Sequence, residues 1–100
     1  MTRSYVYLRS KRGKRDELLR ELDRLEVLVA AQGQPGFLAA EVQVPFEDED
    51  HVLVVGSWSS PEHYERWRQS PARADLLAEL RTFLAEEPEV RVYHVVDAIG

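Results

Sequence analysis

The chain contains no cysteine. That excludes disulfides, thiol nucleophiles and thiolate metal sites, and it is in keeping with a reducing cytoplasm, the location expected here. Long apolar runs are missing as well. Nothing approaches the roughly 20 residues that span a bilayer, and no signal-peptide core follows Met1. Nor is there an excess of positive charge: the formal net charge of -5 argues against a dedicated nucleic-acid binder, which is usually basic. No Gly-rich phosphate loop, no His-Glu-x-x-His helix and no nucleophile elbow occurs, so no sequence-local catalytic signature names a reaction or a cofactor.

What is present suits one domain over residues 1–100. Of the 100 residues, 44% are apolar and 31% charged, the balance of a globular protein and not of a disordered one. Nearly all of the 13 basic residues are arginine. The run Lys11-Arg-Gly-Lys-Arg15 reads as a solvated loop leading into a helix. The acidic turn Glu47-Asp-Glu-Asp50, followed by His51, lacks the glycine and the ligand spacing of a calcium loop, so no metal is expected there.

Periodicity sets the element order. Ser4–Arg9 reads as a short strand rich in β-branched and aromatic residues. From Lys14 the period becomes helical, with Leu18, Leu22, Leu25 and Val29 in one stripe and Leu19 and Leu28 widening it. Gln32-Gly-Gln-Pro-Gly36 stops that helix. Phe37–Val44 alternates as a strand, with Leu38, Ala40, Val42 and Val44 on one face and Phe37, Ala39, Glu41 and Gln43 on the other. Pro45–Asp50 is the turn, and His51–Trp58 returns as a third strand. Ser59 or Ser60 then caps a short helix over Pro61–Gln69. A further helix over Ala72–Ala85 carries Leu76, Leu77, Leu80 and Leu84. Val90–Val96 is the last strand, with Val90, Val92, His94 and Val96 on one face.

The resulting order, β-α-β-β-α-β with the second helix broken in two, predicts an α+β, ferredoxin-like sandwich: a four-stranded antiparallel sheet with its helices on one face. Bulky residues on both faces of the strands (Tyr5 and Tyr7 opposite Val6 and Leu8) leave one face without a cover. A second copy packed sheet to sheet is the expected cover, giving a homodimer. On that face Arg9 and Glu41 are expected to pair.

Tyr64 and Trp67 lie three apart on one face of the short helix, where they either cap the sheet or line a pocket. His51 and His63 read as surface residues. His94, among valines, reads as a core or interface histidine and is the imidazole placed to enter a buried cavity.

Pro35-Gly-Phe37, the acidic hairpin, Val54-Val-Gly-Ser-Trp58 and Ser60-Pro-Glu-His-Tyr-Glu-Arg-Trp67 with Ser70-Pro71 resemble the antibiotic biosynthesis monooxygenase family. The resemblance implies a dimeric α+β barrel with a pocket between sheet and helices in each subunit. It implies cofactor-independent oxidation of a small, hydrophobic, anthrone- or quinol-like aromatic by O₂, or haem degradation as in haem-handling relatives. Trp67 stands where the haem-degrading members keep a pocket tryptophan. Their strand-1 asparagine falls at about Val6, and after Trp67 no histidine occurs before His94. The histidine typical of quinol-oxidising members is replaced by Ala72. In the oxygenase reading His94 or Glu41 is the base, and Trp67, Tyr64, Tyr7 and Tyr93 contact the substrate, with no metal and no cofactor. The alternatives are a non-catalytic ligand-binding dimer of the same fold and a haem binder using His94 or His63 as axial ligand.

Overall fold

Four antiparallel strands, β1 (Thr2–Arg9), β2 (Phe37–Gln43), β3 (His51–Trp58) and β4 (Glu89–His94), form one sheet in the order β2-β3-β1-β4. The computed structural model describes all residues, Met1–Gly100. Helices α1 (Arg15–Arg24), α2 (Val27–Gln32), α3 (Pro61–Arg68) and α4 (Pro71–Leu80) complete it, with a 3₁₀ turn at Arg81–Phe83. The expected α+β sheet is therefore present. No helix is long and apolar enough to cross a membrane.

Strand register assigns every side chain to a face, because successive residues point to opposite sides. Tyr5 pairs with Val55 and Arg91, and Tyr7 with Leu53 and Glu89. Those residues share the face that no helix covers. Leu8 and Val52, a cross-strand pair, point the other way and join Leu18, Leu22, Leu80 and Leu84 in the larger core cluster. Each fully buried leucine of this cluster stabilises the fold by roughly 1.5–3 kcal/mol through area removed from water.

A second cluster lies beside the first, built from Ala31, Trp58, Tyr64 and Trp67. Trp58 is buried, its ring edge-on to Phe37 at 5.6 Å and to Tyr64 at 5.8 Å between centroids. Its indole Nε1 donates to Ser4 Oγ at 3.2 Å. Gly56 makes room for this: a Cβ there would stand 2.7 Å from that indole nitrogen.

Several expectations are corrected. The leucine stripe is not one helix. Glu26 adopts a left-handed backbone, φ 53°, and breaks it into α1 and α2. Leu18 and Leu22 stay buried, whereas Val29 is 58% exposed. A register shift between Phe37 and Ala39 turns Phe37 to the helical side, against Trp58, and leaves Leu38 exposed. Arg9 does not pair with Glu41. It reaches Glu86 at 3.1 Å, because Glu41 lies opposite Val55, far along the sheet from the His51 that faces Arg9. The last strand ends at His94, so Val96 lies outside it and is fully exposed.

Candidate functional site

Helices α3 and α4 begin alike, and their beginnings fix the site. Ser60 and Ser70 cap them, accepting from the backbone N–H of His63 at 3.4 Å and Arg73 at 3.2 Å. Proline follows each cap, where its missing N–H goes unmissed and its fixed φ suits the first turn. Two short helices joined at Gln69–Ser70 therefore cross the sheet, and each presents one face to it.

Beneath them lies an apolar cavity of about 60 Å³. Val6, Leu8 and Val54 of the sheet form its floor, with Leu76 and Leu80 of α4 and the indole of Trp67 as walls. Arg73 is the one charged residue that lines it. Its place follows from helical spacing: Arg73, Leu76, Leu77 and Leu80 stand at i, i+3, i+4 and i+7 and share one face. Arg73 is half-buried as a residue, and its positive charge lies close enough to Tyr64 to act on that phenol.

Tyr64 lies on the neighbouring turn of α3 and is 2% exposed. Its Oη is buried and makes no hydrogen bond of ordinary length and angle, although Arg73 approaches it closely enough to act as a weak donor. Burial pushes the phenol above its ordinary pKa, and the positive charges of Arg73 and Arg68 offset part of that.

The other residues singled out from the sequence lie elsewhere. Tyr7, Tyr93 and Glu41 are on the uncovered face. There Tyr93 meets Tyr5 edge-on at 5.6 Å, and Arg91 sits 5.9 Å above the Tyr7 ring. Glu41 is exposed and accepts from Gln43 at 2.8 Å. His94 points to the helical side but is exposed at the end of β4, the edge strand. It lies near the start of α3, close enough to help hold the Glu62 carboxyl below its usual range, after that residue's own N–H, the Ser60 hydroxyl and His63. The structure therefore brings Trp67 to the cavity and places His94 and Glu41 on opposite faces at opposite edges of the sheet.

His63 is held at its Nδ1 by the Ser60 hydroxyl, 2.8 Å away, and packs on Gly36. The basic run is a loop as expected: Lys11–Lys14 are exposed, and Arg15 donates to the Asp48 carbonyl of the acidic hairpin. Arg73 was missed in the sequence. A charged residue in phase with an apolar stripe was the available signal, and it is weak, because such residues often only flank a core.

Fold and cavity together define a class: small α+β proteins with a pocket between an antiparallel sheet and a broken pair of helices. Residues 1–79 match the family model of antibiotic biosynthesis monooxygenase. The chain belongs to the antibiotic biosynthesis monooxygenase family. Solved structures share the fold. A Deinococcus radiodurans protein classed with these monooxygenases is 17% identical with a TM-score of 0.83, the match covering 100% of this chain and 97% of that one. A Chloroflexus aurantiacus protein of the same class is 25% identical with a TM-score of 0.72, covering 100% and 98%. A Nitrosomonas europaea protein of unknown function is 18% identical with a TM-score of 0.79, covering 98% and 91%. No curated protein matches the sequence.

Proposed function

We propose that the protein binds a small, weakly acidic aromatic molecule in the cavity under α3 and α4 and promotes its oxidation by O₂ without a cofactor. The observation that carries this reading is the pairing of Trp67 with Arg73 in an otherwise apolar cavity. Trp67 offers a flat, rigid surface to a ring. Arg73 offers the single positive charge toward an oxygen that becomes negative when the substrate loses a proton.

For an anthrone-like substrate the balance is simple. The ring CH₂ loses a proton to give an enolate, whose oxygen faces the guanidinium. Carbon then adds O₂, and loss of one water leaves the quinone, so both atoms of O₂ are accounted for. Among the lining residues none is a carboxylate or an imidazole. In this reading the proton passes to water at the cavity mouth, and Arg73 lowers the substrate's pKa enough for that transfer. His94 or Glu41 is the base of the same reaction only if a second copy or a movement of the helices brings it to the cavity.

Size limits the ligand. An apolar cavity of about 150 Å³ holds one benzene, so a space of about 60 Å³ admits a ring only when α4 moves outward. That helix is suited to move, since Leu80 is its one fully buried residue. We further propose that Tyr5, Tyr7, Tyr93 and Leu53 form the contact between two copies of the chain.

The lack of a base among the lining residues favours a second reading, a dimer that binds the same ligands without turning them over. Oxygen uptake with anthrone separates the two. The oxidase reading expects uptake above background by the wild type, lowered at least tenfold in Trp67→Ala and Arg73→Gln. Equal rates in all three proteins would sink it and leave the binding reading.

A further inference from the structure

We propose that the cavity beside Trp67 continues into a groove at the break between α1 and α2, and that this groove takes an uncharged apolar tail carried by the ligand. The inference rests on the cavity reading above and adds a ligand class to it: a phenol or enol that bears an alkyl chain.

The sheet gives the two spaces one floor. Val6 of β1 pairs with Val54 of β3, and Val54 pairs with Val42 of β2. Directly paired residues project from the same face. The three valines therefore form a row that crosses the sheet to its β2 edge. Val6 and Val54 line the interior cavity, and Val42 lines a groove of about 570 Å³. Leu22 and Val27 line both spaces and stand where one meets the other. Leu22 is buried in the core, whereas Val27 is half-buried in the first turn of α2. Val27 is the side chain that swings aside for a chain to pass.

Leu19 and Leu22 of α1, with Val27, Leu28 and Val29 of α2, make the groove's apolar wall. The opening exists because the leucine stripe does not continue as one helix: Glu26, φ 53°, turns α2 away from α1. Left-handed backbone at a residue other than glycine costs stability, and it recurs where a site needs the shape it gives. Val29 is an apolar side chain left 58% exposed, and a tail in the groove covers part of it. Asp23 and Glu26 also line the groove, and both are exposed. Their negative charge repels an anionic chain end, while Arg73 attracts an oxygen at the cavity end. The ligand is thereby oriented, with its ionisable oxygen inward and its uncharged tail outward. A peptide strand is a poor occupant, because the valine floor runs across the strands and leads inward instead of following the β2 edge.

The probes are 4-ethylphenol, 4-butylphenol and 4-hexylphenol, titrated calorimetrically into the protein. Full burial of one CH₂ is worth roughly fourfold in affinity, so a groove open on one side is expected to give about twofold per carbon. The wild type is expected to bind each longer phenol more tightly than the last. A carboxylate at the end of the hexyl chain is expected to cancel the gain. Val29→Glu, at an exposed position, is expected to flatten the series and leave the Kd of 4-ethylphenol unchanged, whereas Val29→Ile keeps the slope. Circular dichroism confirms that each variant is folded. Binding without a slope in the wild type, or the same slope in Val29→Glu, overturns the proposal and leaves the cavity reading standing. No binding by any of the phenols, or a slope with no loss of affinity in Arg73→Gln, overturns the cavity reading and the proposal with it.

Discussion

The α-carbon of Gly36 lies so close to the imidazole of His63 that a Cβ there would stand 2.2 Å from the ring's Cγ. Gly36 also has a positive φ of 78°, and its carbonyl accepts from the N–H of Ser59 at 2.8 Å. One glycine thus joins the entry to β2, the end of β3 and the start of α3.

Gly36→Ala is expected to destabilise the protein by about 1–3 kcal/mol through the left-handed backbone alone, with the His63 clash added. In a His63→Ala background the clash is relieved and only the backbone part is left. Urea unfolding of the four proteins measures the difference as a coupling. Unchanged stability in Gly36→Ala contradicts the packing described.

Tyr64 carries a buried hydroxyl that makes no hydrogen bond of ordinary geometry, with Arg73 approaching it only as a weak donor. Leaving such a group unsatisfied costs about 1–3 kcal/mol. Tyr64→Phe keeps the ring contact with Trp58 and removes the orphan group, so stability is expected to hold or to rise by up to about 1 kcal/mol. A clear loss in thermal unfolding means that the hydroxyl has a partner in solution.

Asp48 makes stability depend on pH. Its folded-state pKa is depressed, by the Asp50 N–H first and then by His51. The contribution is therefore complete above the ordinary value of 3.8 and is lost as pH falls through the lower, folded value. Asp48→Asn is expected to be less stable than the wild type at pH 6, with the gap closing toward pH 2. A gap that is constant across that range contradicts the linkage.

The element order, the capped start of α3 and the buried leucines were legible because period and capping are local. The break at Glu26 was not. Nothing in Leu25-Glu-Val27 signals a left-handed residue, since glycine is the usual occupant. The shift at Leu38 hid for a similar reason: alternation alone put Phe37 on the wrong face, and the indole of Trp58 decides its side. His94 read as enclosed because valines surround it in sequence. It is exposed because β4 is an edge strand and the helices leave its end uncovered. Arg73 needed the tertiary fold, as only the sheet beneath α4 turns one in-phase charge into a wall of a cavity.

The direct test of the central claim is calorimetric titration of 1-naphthol into the wild type and into Arg73→Gln, at a pH where the ligand is partly ionised. A charge-assisted hydrogen bond contributes about 1.5–3 kcal/mol, roughly tenfold or more in affinity. The account expects one site per chain in the wild type and at least a tenfold weaker Kd in Arg73→Gln. Equal affinity in both proteins, or no binding to the wild type, would contradict it.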